Sequence, residues 1–195
     1  MATTGLSTAD FPEFLSLKRF STADYLQMIE AGVLDKDDRV ELIEGMIVDM
    51  SPAGIPHNHF LIRIIELFGP LLGRFHFAVQ GTLTVGEGHV FDPDFMLLRK
   101  RPDAYKTKLP EAEDVLLVIE AADSSLRKDQ KLKLPAYAQA GIAEYWIADL
   151  EKEVILVHRQ PEAGDYQVVE TRRADETISP LAAPDFSMTA RQAFD

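Results

Sequence analysis

Apolar positions along the chain follow two different periods. Tyr25, Met28 and Ile29 recur at i, i+3 and i+4 behind Ser21 and Thr22, either of which can cap. This predicts a short helix that opens at Ser21-Thr22-Ala23-Asp24 and ends near Gly32. Residues 39–50 hold two short apolar runs around Glu44-Gly45, the pattern of a tight β-hairpin, and Ser51-Pro52-Ala53-Gly54 is a turn. Leu61, Ile64, Ile65, Phe68, Leu71 and Leu72 then keep helical spacing, predicting a helix from His57 to Phe75 that Pro70 ends or kinks in its last turn.

From Phe75 onward the period becomes that of strands: 77–80, 83–85 and 94–98. Val115-Leu116-Leu117-Val118-Ile119-Glu120 is apolar without a break until its terminal acid, as in a strand buried on both faces. Ser124 or Ser125 can cap a helix that runs towards Ala140 and stops at Gly141. Strands at 144–149 and 154–158 follow, with Trp146 as a core residue, then a last strand at 166–169. A helix between two buried strands implies a right-handed crossover, hence an α/β fold with a mixed sheet.

Composition narrows the class. With roughly 150 residues as the usual domain, the 195-residue chain is read as a loose leader over 1–20 and one domain over 21–195. A hydrophobic fraction of 46% supports a core and excludes disorder. The absence of cysteine excludes disulfides, thiolate zinc sites and cysteine nucleophiles. No signal-like start and no apolar run of about 18 residues is found, so a cytoplasmic protein without membrane contact is expected.

Net charge is −12, which as a uniform surface would repel nucleic acid. The charge is segregated, however. Residues 99–108 carry +4 and residues 127–133 carry +3, leaving −19 on the rest of the chain. Such patches can face phosphate, although solvated loops or helix faces have the same composition.

Two acids stand out by position: Asp94 opens a strand and Glu120 closes the most buried one. Carboxylates that converge at the dry end of a sheet repel each other, and a hard divalent cation such as Mg²⁺ or Mn²⁺ relieves the repulsion. Asp94 as a simple strand start, and Glu120 as an acid near a helix cap, fit the same spacing. Asp129, Lys133 and Tyr137 stack at i, i+4 and i+8 if the helix is regular, but Pro135 either kinks it or moves its regular part past Lys133.

Several segments, taken in order, carry a resemblance. They are Glu41-Leu42-Ile43-Glu44-Gly45, Met50-Ser51-Pro52 with His57, Pro93-Asp94, and residues 118–125. Asp129, residues 133–137, Gly141-Ile142 and residues 144–149 complete the set. Over residues 20 to about 190 the chain resembles the Uma-two family of restriction endonucleases, within the PD-(D/E)XK superfamily. The resemblance implies a restriction-endonuclease-like core, a mixed central sheet flanked by helices, with an N-terminal helix and hairpin. It also implies Mg²⁺- or Mn²⁺-dependent hydrolysis of phosphodiester bonds in DNA, with Asp94 and Glu120 as catalytic metal ligands. The superfamily's lysine two residues beyond the acid is replaced by Ala122, which makes Lys133 its substitute. Glu44, His57, Asp129 and Tyr137 take supporting places; Glu44 also fits a plain turn acid, and His57 with His59 a less favoured metal pair. Lys106, Lys108, Arg127 and Lys128 are the candidate DNA contacts. A homodimer is expected on general grounds, since two-fold assemblies are common. The alternative is a non-catalytic interaction or scaffold protein that keeps the nuclease fold, for which Ala122 and the acidic body speak.

Overall fold

The structure, a computed structural model, describes residues 17–35, 37–123 and 125–195. The leader expected over 1–20 lies almost entirely outside the described residues, as does Ser124, one of the two candidate caps.

The unbroken apolar run becomes β7 (Val115–Ala122), an inner strand of a six-stranded sheet. β8 (Glu144–Asp149) pairs with it in parallel and β6 (Phe95–Leu98) antiparallel. β9 (Val154–Glu162) and β10 (Asp165–Arg173) extend the sheet beyond β8, and β3 (His76–Val79) flanks β6. A helical segment joins the parallel pair β7 and β8, as the order of apolar patterns requires.

Alternation along these strands sorts side chains to two faces. Phe95, Leu97, Leu117, Ile119 and Trp146 pack with α2 (Ile55–Phe68) and α5 (Ala190–Phe194), where Phe68 meets Trp146 edge-on at 6.1 Å. Met96, Val118, Tyr145 and Ile147 pack on the other face with α4 (Leu134–Gln139). Glu120 has the parity of Val118 and Ala122, so the alternation that builds the core also turns its carboxylate to the α4 side.

A smaller four-stranded sheet stands beside this one. It holds β1 (Val40–Ile43), β2 (Met46–Asp49), β4 (Leu83–Thr84) and β5 (Val90–Phe91), in the order β2-β1-β5-β4. α1 (Thr22–Glu30) precedes it, capped reciprocally by Ser21 and Asp24. The β1–β2 turn has Glu44 at φ 49° and Gly45 at φ 73°, both left-handed, as a two-residue hairpin turn demands. A Cβ on Gly45 would lie 2.8 Å from Arg19 Cβ and 2.9 Å from Phe20 O. Gly45→Ala is therefore expected to lose about 2–3 kcal/mol from strain and clash together, read as a lower urea midpoint; an unchanged midpoint would refute the tight approach.

Two expectations are corrected, and three short strands had none. α2 stops at Phe68 rather than Phe75, because Pro70 has no N–H to continue it and the chain tightens into a 3₁₀ turn over Gly69–Leu71. β10 runs to Arg173, well past residue 169, because an edge strand paired through its backbone to β9 needs no apolar alternation. β5, β11 (Thr177–Ile178) and β12 (Met188–Thr189) are two-residue strands, too short to show a period. No described helix is long and apolar enough to cross a membrane.

Candidate active site

Because β6 and β7 are antiparallel, with Phe95 opposite Ile119, the residue just before β6 meets the last turns of β7. Asp94 Oδ2 accepts a hydrogen bond from Ala121 N at 2.9 Å, and Asp94 N approaches Glu120 Oε2 at 3.4 Å. The two sequence-predicted acids therefore sit side by side at one end of the sheet, both buried.

Lys133 reaches them by a local distortion. α3 (Leu126–Lys128) passes into a π-helical turn, Asp129–Lys133, before α4 begins, with Leu134 N donating to Asp129 O five residues back. Pro135 cannot donate to the carbonyl four residues before it, and the wider turn accommodates that missing bond. Lys133 Nζ then donates to Glu120 Oε1 at 2.9 Å, and Tyr137 OH donates to the same oxygen at 3.0 Å. Asp129 is also buried here, accepting from Ser125 Oγ at 2.7 Å. Ser125 holds the N-cap position but makes no capping bond with its side chain, contrary to the sequence expectation.

A fourth carboxylate joins Asp94, Glu120 and Asp129, and it is Glu41 rather than Glu44. Glu44 is exposed at the hairpin turn, where its carboxylate lies 3.9 Å from Arg19. Glu41 is 1% exposed and accepts from Lys133 Nζ at 2.8 Å and Lys128 Nζ at 2.9 Å. Glu41 has the parity of Ile43, a core residue, but Leu42 on the opposite face is buried as well, so alternation alone does not single it out.

His57, in the first turn of α2, holds the far side of the cleft with Nε2 2.8 Å from Asp94 Oδ1. Among the described residues its buried Nδ1 has no hydrogen-bond partner. His59 faces away and bonds Phe194 O at 3.1 Å, so the two histidines do not form a metal pair. Lys128 lines the cleft, whereas Arg127 does not. Lys106 and Lys108 lie on the loop leaving the opposite end of β6, on the order of 15 Å of strand from Asp94, and Lys108 pairs with Glu111 at 2.7 Å.

Charge and burial set the protonation states. Desolvation would lower Lys133, but Glu120, Glu41 and Asp129 outweigh it and hold the ammonium above its ordinary range. Desolvation raises Glu120 well above a normal glutamate; Lys133 opposes this, while Asp94, Asp129 and Glu41 add to it. Asp94 is lowered, because the His57 contact and the Ala121 N–H overcome the cost of burial. His57 is raised, chiefly by its bond to Asp94.

The donor set suits a hard cation. Among the described residues no three His, Asp or Glu side chains are grouped as a metal cage. Mg²⁺ needs none, since it commonly binds one or two carboxylates and fills its shell with water and substrate phosphate. Asp94 and Glu120 are two mutually repelling carboxylates whose oxygens keep unused lone pairs on the wall of one cleft.

Comparisons with known proteins bear on the family and the fold. A family model, Uma2, described as "Putative restriction endonuclease", matches residues 22–191. The chain belongs to the Uma2 family. The resemblance drawn from the order of motifs thus led to the right family. The structure is similar to that of a "putative nuclease belonging to DUF820" from Anabaena variabilis, with a TM-score of 0.71 and 16% identity over 88% of this chain and 96% of that one. At that identity the likeness establishes the Uma2 chain's nuclease-like mixed α/β fold. No curated protein matches the chain.

Proposed function

We propose that the cleft hydrolyses phosphodiester bonds in DNA with a divalent cation, as an endonuclease. The observation that carries this reading is the convergence of Asp94, Glu120 and the Lys133 ammonium, which donates to Glu120 Oε1 at 2.9 Å. Asp94 and Glu120 would hold Mg²⁺ or Mn²⁺. When bound, such an ion makes its water a stronger nucleophile and neutralises charge on a phosphate oxygen. Lys133 remains protonated, so it serves as a fixed positive charge and donor beside the scissile phosphate and not as the general base. Glu41 and Tyr137 keep Lys133 and Glu120 in register, and His57 fixes the orientation of the Asp94 carboxylate. Ala122 favours a second reading, a nuclease-fold binding protein without turnover.

Calorimetry separates the two. Mn²⁺ is expected to bind the wild type and to give no heat with Asp94→Ala or Glu120→Ala. Cleavage of plasmid DNA in Mg²⁺ is expected to fall at least about 100-fold in Glu120→Gln. Equal heats in all three proteins would defeat the metal site, and a wild type that binds Mn²⁺ without cutting would leave the binding protein.

A further inference from the structure

The cleft is too small for a nucleotide. Its cavity is about 50 Å³, room for an ion and a few waters when one water needs roughly 10–15 Å³. A DNA strand held as the nuclease reading requires would bring one phosphate into this space and leave its neighbouring phosphates at the mouth.

Three cations line that mouth and cleft: Lys133, Lys128 and Arg39. Lys133 is held by Glu41 and Glu120, and Lys128 by Glu41 at 2.9 Å. Arg39 is exposed, and among the described residues its guanidinium makes no ion pair. Its backbone is in the left-handed region at φ 42°, which a branched-off side chain rarely adopts, and its carbonyl is pinned there by Met50 N at 2.9 Å. The basic loop at 99–108 offers less. Its Arg101 pairs with Asp103 and Asp114, its Lys108 with Glu111, and it leaves the sheet at the wrong end.

We propose that Arg39 is a phosphate-binding residue: its guanidinium grips a DNA backbone phosphate next to the scissile one, so that the strand crosses the rim formed by Arg39 and the Ser51–Gly54 turn. This rests on the nuclease reading above. A guanidinium suits the task because its planar fork can bond two phosphate oxygens at once.

The test is the affinity of a short fluorescent DNA duplex, measured without divalent cation over a range of sodium chloride. Arg39→Ala is expected to bind roughly tenfold more weakly near 0.1 M salt, with a salt slope smaller by about one. Arg39→Lys keeps the slope but not the full affinity. Arg39→Gly loses affinity while its melting temperature holds or rises, because glycine relieves the left-handed backbone; a purely structural arginine would not separate the two. Lys106→Ala binds as wild type does. Equal affinity and slope in wild type and Arg39→Ala overturn the proposal, as does a wild type with no DNA affinity. The metal reading fails separately: an absent Mn²⁺ heat with the Arg39 effect intact removes hydrolysis and leaves the phosphate contact standing.

Discussion

Lys133→Met is expected to lower stability by about 3–5 kcal/mol, the largest effect of any single substitution in the cleft. Lys133 is 4% exposed and is the shared counter-ion of Glu41 and Glu120, which are 1% and 3% exposed. Methionine fills the space but leaves these acids, with Asp129, buried against one another. Their cheapest escape is to take up protons, and this gives the variant a pH signature. A carboxylate whose folded pKa lies above its unfolded value binds more protons when native. The variant's lost stability should therefore return as pH falls from about 8 towards 5, until the unfolded chain also protonates. Wild type should show a smaller gain: burial raises Glu120 and Asp129 there too, but its charged Lys133 opposes the rise, and that opposition is what the variant lacks. Urea titrations of both proteins at several pH values check this. Adding Glu41→Gln and Glu120→Gln should restore part of the loss, since uncharged partners no longer need the ammonium. A variant as stable as wild type at pH 8 would show that Lys133 is not the electrostatic keystone proposed for the cleft.

Much of this site was legible before any coordinates, and the residues that were missed share a physical reason. Asp94 and Glu120 could be found because each interrupts an apolar strand at its end, a local signal. The Glu44-Gly45 turn could be found because its backbone needs left-handed residues. Lys133 came from the resemblance, and local periodicity alone could not place it, because a regular helix through Pro135 was ruled out but the π-helical turn has no spacing signature of its own. Glu41 depended on which face of β1 is covered, and that is a property of how two sheets meet. The basic loop at 99–108 looked suitable by composition, yet its position follows from the antiparallel pairing of β6 with β7, which sends Asp94 and Arg99 to opposite ends of one strand. Local chemistry was readable; the end of the sheet at which each group emerges was a matter of topology.

Glu144→Ala should cost a comparable amount, about 3–5 kcal/mol, at a place that has nothing to do with the cleft. Glu144 is fully buried at the start of β8, with the parity of Trp146, and so faces away from the side that Glu120 occupies. Its Oε1 accepts from Arg159 Nε at 2.8 Å, Arg159 Nη2 at 2.7 Å and Trp146 Nε1 at 2.9 Å. Its Oε2 accepts from Leu181 N at 2.7 Å, which ties the segment after β11 to the sheet. Alanine would leave a part-buried guanidinium and two N–H groups without their acceptor, and unmet buried donors are more costly than the bonds are worth. Glu144→Gln keeps one carbonyl acceptor but turns an amide N–H₂ towards other donors, so an intermediate loss is expected. Pairing Glu144→Ala with Arg159→Ala in a double-mutant cycle should return a coupling of about 2 kcal/mol or more, because the second change removes the guanidinium that the first leaves with only Ser179 O and a longer Glu170 contact at 3.5 Å. The decisive contrast is with function: below its lowered melting temperature, folded Glu144→Ala should bind Mn²⁺ with wild-type affinity, whereas Glu120→Ala should not. If instead both acids affected Mn²⁺ equally, the division of labour between the two faces of the sheet would be wrong, since the pleat of β7 and β8 holds their side chains on opposite sides.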